Sequence, residues 1–137
     1  MRILGLDIGT KRIGISVSDA LGIIATPVPA IARDNKSVEK IKELCKTYGV
    51  KKIVVGLPKH MNGTIGTQAE DCMEFAKNFE DEFEIIFEDE RLTSRQAEHN
   101  LAFVGKKYTR NKGLVDTESA CIILQQYLDR KQEKHEQ

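Results

Sequence analysis

Two periodicities alternate along the chain. Met1 to Ile8 and Ile53 to Leu57 are near-continuous apolar runs, of the length and β-branched content expected of strands covered on both faces. Ile85-Ile86-Phe87, enclosed by Glu84 and Glu88, is a third. Ile13 to Ser18 reads as the hairpin partner of the first run. Ile23 to Ile31 forms a further strand, but Pro27 and Pro29 lack the N–H that a central ladder needs, which places it at an edge. Elsewhere the apolar spacing changes to three and four. Val38, Ile41, Leu44, Cys45 and Tyr48 mark a helix capped by Asp34, Asn35 or Ser37 and ended by Gly49. Thr67-x-x-Glu70 has the form of a capping box, opening a helix that buries Cys72, Phe75, Ala76 and Phe79, and Thr93-x-x-Gln96 opens another that runs to Phe103. Ala120, Ile123, Leu124, Tyr127 and Leu128 mark a last helix opened by Asp116. A polar tail follows from Asp129, frayed over 130–137.

The resulting order, β-β-β-α-β-α-β-α-α, joins an antiparallel meander to a parallel half built by helical crossovers. It implies an α/β domain with one five-stranded mixed sheet, order 3-2-1-4-5, and helices on both faces. The 137 residues suffice for one such domain, spanning 1–137, and not for a second. Lys plus Arg and Asp plus Glu both number 21, so global charge does not point to nucleic acid and any basic surface is local. One such region is 104–115, where Lys106, Lys107, Arg110 and Lys112 surround Tyr108 with no acid among them. It reads as a basic loop that either tracks a phosphate backbone or is simply solvated.

Cys45, Cys72 and Cys121 lie far apart within helical stretches and read as small buried apolar groups. The histidines, His60, His99 and His135, lack ligand spacing, which argues against zinc. No apolar run reaches the roughly 20 residues of a membrane span and no signal-peptide pattern opens the chain, so a cytoplasmic protein without a membrane partner is expected.

Asp7 is the chemical exception in the first strand. A carboxylate in a buried strand loses hydration unless a donor, a cation or a metal meets it. Gly9 permits a sharp turn beside it, and Thr10, Lys11 and Arg12 add a hydroxyl and two cations, so the stretch suggests a carboxylate-plus-phosphate site. A turn-capping Asp is the alternative. In an open α/β sheet ligands gather at the carboxyl ends of the strands, where Asp7, the Gly56-Leu57-Pro58 loop and the Asp89-Glu90-Arg91 turn converge. Strands spaced about 4.8 Å put the first and fifth roughly 10 Å apart, which favours the longer reach of Glu90 over Asp89 as the second acid. Asp116 is either a third acid or a simple N-cap.

Four stretches carry a resemblance: Asp7-x-Gly9-Thr10-Lys11-Arg12-x-Gly14; Val55-Gly56-Leu57-Pro58 with Asn62-Gly63; Asp89-Glu90-Arg91-Leu92-Thr93-Ser94; and Lys112-Gly113-x-x-Asp116 followed by Ala120 and Ile123 to Leu128. Together, and in this order, they resemble the YqgF/RuvX family. The resemblance implies a ribonuclease H-like fold and a nuclease that matures the 5′ end of pre-16S ribosomal RNA, in a family also described as homologous to Holliday-junction resolvases. Asp7, Glu90 and Asp116 would then be the catalytic acids, holding two Mg²⁺ or Mn²⁺ ions suited to hard carboxylate oxygens. Thr10, Lys11, Arg12, Asn62 and Arg91 would hold phosphate charge. Lys106, Lys107, Arg110 and Lys112 would track the backbone, with Tyr108 stacking on a base. The implied partners are pre-rRNA or branched DNA and ribosomal precursor particles, bound by a monomer or weak homodimer. Glu118 either adds a ligand or faces solvent. Two other readings are a non-catalytic RNA-binding assembly module and, because Asp7-x-Gly9-Thr10 also resembles the first phosphate loop of actin-like ATPases and sugar kinases, half of a two-domain nucleotide-binding fold.

Overall fold

The computed structural model describes residues 1–58, 66–89 and 112–136, the last of these by backbone alone at 112–117 and 132–136. Its elements are β1 (Ile3–Ile8), β2 (Arg12–Ser18), β3 (Ala25–Ala32), α1 (Ser37–Tyr48), β4 (Lys52–Leu57), α2 (Thr67–Ala76), β5 (Glu84–Asp89) and α3 (Lys112–Glu136). They build one five-stranded sheet in the order β3-β2-β1-β4-β5, the order the element sequence predicts. β1 is antiparallel to β2 and parallel to β4, and β4 is parallel to β5. β3, with its two prolines, is an edge strand as expected. The helix expected from Thr93 to Phe103, the loop carrying Asn62 and most of the basic stretch 104–115 lie outside the described residues.

Both faces of the central strands are covered, which is why those strands read as unbroken apolar runs. Leu4, Leu6 and Ile8, with Ile53, Val55 and Leu57, pack against Ile41 and Cys45 of α1 and Ala69, Cys72 and Ala76 of α2. On the opposite face, Ile3 and Val54 meet Ile123, Leu124, Tyr127 and Leu128 of α3. Each large apolar side chain so enclosed contributes about 1.5–3 kcal/mol relative to exposure.

α3 comes close to the sheet backbone at Gly5. A Cβ there would stand 2.4 Å from Ser16 Oγ, 2.8 Å from Leu124 Cβ and 3.1 Å from the Ala120 carbonyl oxygen. The Ser16 hydroxyl donates to that same carbonyl at 2.8 Å, a buried bond between residues 104 apart in sequence. Farther along, Lys52 Nζ donates to the Tyr127 hydroxyl at 3.3 Å. Gln125 accepts from the Ala25 N–H at 2.9 Å and donates to the Ile23 carbonyl at 2.8 Å. From Ala120 above Gly5 to Tyr127 beside Lys52, α3 therefore runs back toward the amino ends of β1 and β4, and its first turns extend toward their carboxyl ends.

Several boundaries differ from the expectation, each for a local reason. β3 begins at Ala25 rather than Ile23 because the Asp19 carboxylate accepts the N–H groups of Ile23 and Ile24, at 2.7 and 3.0 Å, and holds them in the turn. α1 starts on Ser37 without a side-chain cap. Asp34 instead accepts from the Lys36 N–H at 2.9 Å, and Ser37 Oγ donates to the Ala32 carbonyl at 2.9 Å. Thr67 is the first residue of α2 and makes no capping bond, Gly66 standing at the N-cap. α3 starts at Lys112 and continues to Glu136, so Asp116 lies inside the helix and is not its N-cap. The stretch read as a tail is rich in Arg, Lys, Gln and Glu, good helix formers with no glycine or proline among them, and polarity alone does not end a helix.

Gly5→Ala forces a methyl group between β1 and α3. It is expected to lower the unfolding free energy by about 1–3 kcal/mol, the usual cost of overpacking a filled core. Urea denaturation followed by far-UV circular dichroism measures this, and an unchanged midpoint would show that α3 does not lie as tightly on β1 as described.

Candidate active site

The carboxyl end of β1 presents an acid whose cross-strand neighbours are glycines. Asp7 stands opposite Gly14 of β2. The β1–β4 register, which pairs Leu6 with Val55, brings Gly56 to its other side at the next step. Gly5, two residues earlier, faces α3, so strand alternation turns Asp7 toward the α3 face as well. The half-buried Asp7 thus has a glycine beside it on each neighbouring strand.

The hairpin that follows is tied down from behind. Gly9 donates its N–H to the Arg12 carbonyl at 2.9 Å, and a Cβ at Gly9 would stand 2.7 Å from that oxygen. The closeness of this turn is what demands glycine. Arg33, just beyond β3, donates from Nη1 to the Gly9 carbonyl at 3.0 Å and grips Asp71 of α2 through both terminal nitrogens, at 2.6 and 2.9 Å. Its guanidinium also lies 5.2 Å from the centre of the Phe75 ring. Thr10 and Lys11 are exposed at the hairpin tip, and Arg12 is half-buried at the start of β2.

The other end of the row belongs to β5. Gly56 is registered against Glu88 and Leu57 against Asp89. Leu57 belongs to the core on the α1 and α2 side, so alternation turns Asp89 away from the Asp7 face and turns Glu88 toward it. Glu88 is 4% exposed. It accepts a two-pronged bond from Arg130 of α3, with Nη1 to Oε2 at 2.5 Å and Nη2 to Oε1 at 2.6 Å. Such a fork compensates the burial of the carboxylate.

Neither ion pair was apparent from sequence, since Arg33–Asp71 and Glu88–Arg130 join residues 38 and 42 positions apart. The one available signal was the acidic run Glu88-Asp89-Glu90, in which strand alternation assigns neighbouring acids to opposite faces. Of the expected site residues, Asp7, Thr10, Lys11 and Arg12 are brought together on the β1–β2 hairpin. Glu90, Asn62, Arg91, Lys106, Lys107, Tyr108 and Arg110 lie outside the described residues, and Lys112 and Asp116 are placed by backbone only. Among the described residues no group of three or more His, Cys, Asp and Glu converges as a metal site, and no helix is long and apolar enough to cross a membrane. Cys45 and Cys72 are buried and Cys121 is half-buried, all as free thiols. Burial pushes the thiols of Cys45 and Cys121 up to about 12, which suits packing rather than nucleophilic chemistry.

Arg33 holds the Asp71 carboxyl below its ordinary value of 3.8. A carboxyl group depressed on folding contributes stability that is fully present above the ordinary value and is lost as pH falls below it, through the folded value. Asp71→Asn is therefore expected to reduce stability at pH 7 by about 0.5–1 kcal/mol, a small effect because the Asp71 side chain is 43% exposed. Urea titrations should show the gap from the unsubstituted protein closing below about pH 4, toward acid. A gap independent of pH would assign the effect to packing.

A family profile described as "RuvX: Holliday junction resolvase" matches residues 1–130. A Sulfurihydrogenibium protein (strain YO3AOP1) is 50% identical over 133 residues, covering 94% of this chain and 90% of its own. A Bacillus cereus protein (strain B4264) is 43% identical over 137 residues, covering 96% of this chain and all of its own. Both bear the name "Putative pre-16S rRNA nuclease". Among solved structures, T. thermophilus RuvC in complex with Holliday junction substrate superimposes with a TM-score of 0.57 at 15% identity, covering 97% of this chain and 96% of that one. The Fowlpox virus resolvase, in complex with its substrate Holliday junction DNA, gives 0.60 at 11% identity, covering 96% and 99%. These two share the fold. With the profile spanning 1–130 and relatives alike over nearly their whole length, the chain belongs to the RuvX family.

Proposed function

We propose that this chain is a divalent-metal-dependent nuclease that hydrolyses phosphodiester bonds of structured nucleic acid, and that its task is 5′-end processing of pre-16S rRNA. The observation that carries the reading is Asp7, an acid on a central strand flanked by Gly14 and Gly56 at the end of the sheet where ligands bind. Backbone arithmetic supports Asp116 as its neighbour. Ala120 lies above Gly5; four helical residues back toward Asp116 is about 6 Å, and two strand residues forward to Asp7 is about 6.6 Å in the same direction. Glu90, two positions beyond Glu88, is the third acid.

The donor set fits a hard divalent cation, since it consists of carboxylates with no thiolate or imidazole among them. Mg²⁺ or Mn²⁺ held there supplies Lewis acidity and an acidified water. The chain's own part is to bind and orient the substrate. Asp7, Glu90 and Asp116 hold the cation site, two ions being the expected number. Thr10, Lys11 and Arg12 meet the phosphate beside it, and Arg91, Asn62 and the run from Lys106 to Lys112, with Tyr108, extend the grip along the strand. A cytoplasmic setting and a ribosomal precursor particle as the carrier of the substrate follow from this reading.

Junction resolution is the second reading, favoured by the description of the family itself. It requires two symmetric cuts and hence a two-fold dimer, whereas end trimming needs one active site in a monomer.

Asp7→Asn keeps the shape of the side chain and removes its charge. It is expected to leave the thermal midpoint within a few degrees and to lower metal-dependent cleavage at least about a hundredfold, the scale set by losing one stabilising group at a reacting centre. The assay compares an RNA spanning the 5′ boundary of 16S rRNA with a four-way DNA junction, in Mg²⁺, Mn²⁺ and EDTA. Cleavage by the variant at the unsubstituted rate contradicts the assignment. Binding without cleavage by the unsubstituted protein would make it an assembly module.

A further inference from the structure

Three cations gather around one aromatic ring on the flank of α3 that overlies β4 and β5. Lys52 Nζ, Arg130 Cζ and Lys131 Nζ stand 5.8, 5.9 and 5.6 Å from the centre of the Tyr127 ring. The ring is buried, and its negatively charged face partly offsets their mutual repulsion. Two carboxylates answer them: Glu84, 3.1 Å from Lys52, and the buried Glu88, which takes two of the five N–H donors of Arg130. Lys131 has no carboxylate within ion-pair distance among the described residues. Asp129, two residues before it, is hydrogen-bonded by Gln125 at 2.9 Å. Three cations thus face two acids around this ring, in a chain whose overall charge is zero. A local surplus of this kind is the electrostatic footprint of a polyanion site.

Its position relates it to the cut. Lys52 pairs with Ile3 at the amino end of the sheet, and Gly56, level with Asp7, comes four residues later on the same strand. That separation is about 13 Å at 3.3 Å per residue, or roughly four base steps of a duplex at about 3.4 Å each. Both Lys52 and Asp7 lie on the α3 face.

We propose that Lys52, Arg130 and Lys131, arranged around Tyr127, bind the phosphate backbone of the nucleic-acid segment flanking the scissile bond. Glu88 acts here as a positioning residue, fixing the guanidinium of Arg130 while leaving it half-exposed. This proposal rests on the nuclease reading and supplies that site with a second point of attachment.

The test is fluorescence anisotropy in EDTA on the full chain, with a labelled single-stranded RNA and a four-way DNA junction across a KCl series. Lys52→Gln/Lys131→Gln is expected to flatten the plot of log Kd against log [KCl] for the RNA by about 1.4, at roughly 0.7 per lost phosphate contact, with the thermal midpoint unchanged. Lys131→Gln alone, which orphans no carboxylate among the described residues, should flatten it by about 0.7 and keeps the test valid if the double variant folds poorly. Variants that keep the steep slope of the unsubstituted protein overturn the patch alone, and a lowered midpoint with an unchanged slope would make these lysines a seal between helix and sheet. If the unsubstituted chain binds neither probe, the nuclease reading falls and the patch falls with it.

Discussion

The contact between Gly5 and the Ala120–Leu124 turn of α3 sets the geometry of everything around it. A strand backbone with no side chain lets the helix settle directly onto the sheet, and the Ser16 hydroxyl anchors it there through the Ala120 carbonyl. Because a helix rises about 1.5 Å per residue and a strand about 3.3 Å, one contact point and one direction suffice to decide which residues meet farther along. The same contact governs the far end, where Tyr127 comes down beside Lys52. The placement of both ends of α3 is therefore tied to packing in the middle of β1.

The second constraint is electrostatic. Burying an ion is costly unless it is paired, and the described carboxylates around the sheet are handled in distinct ways. Glu88, enclosed by α3, is matched by both prongs of Arg130. Asp71 is exposed enough to stay hydrated, and its contact with Arg33 serves mainly to hold the β1–β2 hairpin against α2. Asp7 is half-buried between glycines at the carboxyl end of β1. Two acids of the same sheet face thus sit in different surroundings, Asp7 in a row of glycines and Glu88 beneath α3.

Much of this was readable from the chain. Near-continuous apolar runs from Met1 to Ile8 and from Ile53 to Leu57 mark strands covered on both faces, Pro27 and Pro29 mark an edge, and the order of elements leaves one economical sheet. Asp7 stood out because a charge interrupts a buried strand. The errors came where local chemistry competes. Asp34, Ser37 and Thr67 all carry capping side chains, yet the first two close the preceding turn and Thr67 sits one position too late. Asp116 looked like a helix start because Gly113 and the basic residues before it resemble a loop, whereas α3 begins at Lys112. The pairs Arg33–Asp71 and Glu88–Arg130 depend on which faces meet after folding, and no local pattern encodes that.

A crystal structure grown or soaked with Mn²⁺, with the ions located by anomalous scattering, tests the central claim most directly. The account predicts manganese coordinated jointly by carboxylate oxygens of Asp7, Glu90 and Asp116 at the carboxyl end of β1. Manganese bound elsewhere, with these three side chains directed to separate places, would contradict it.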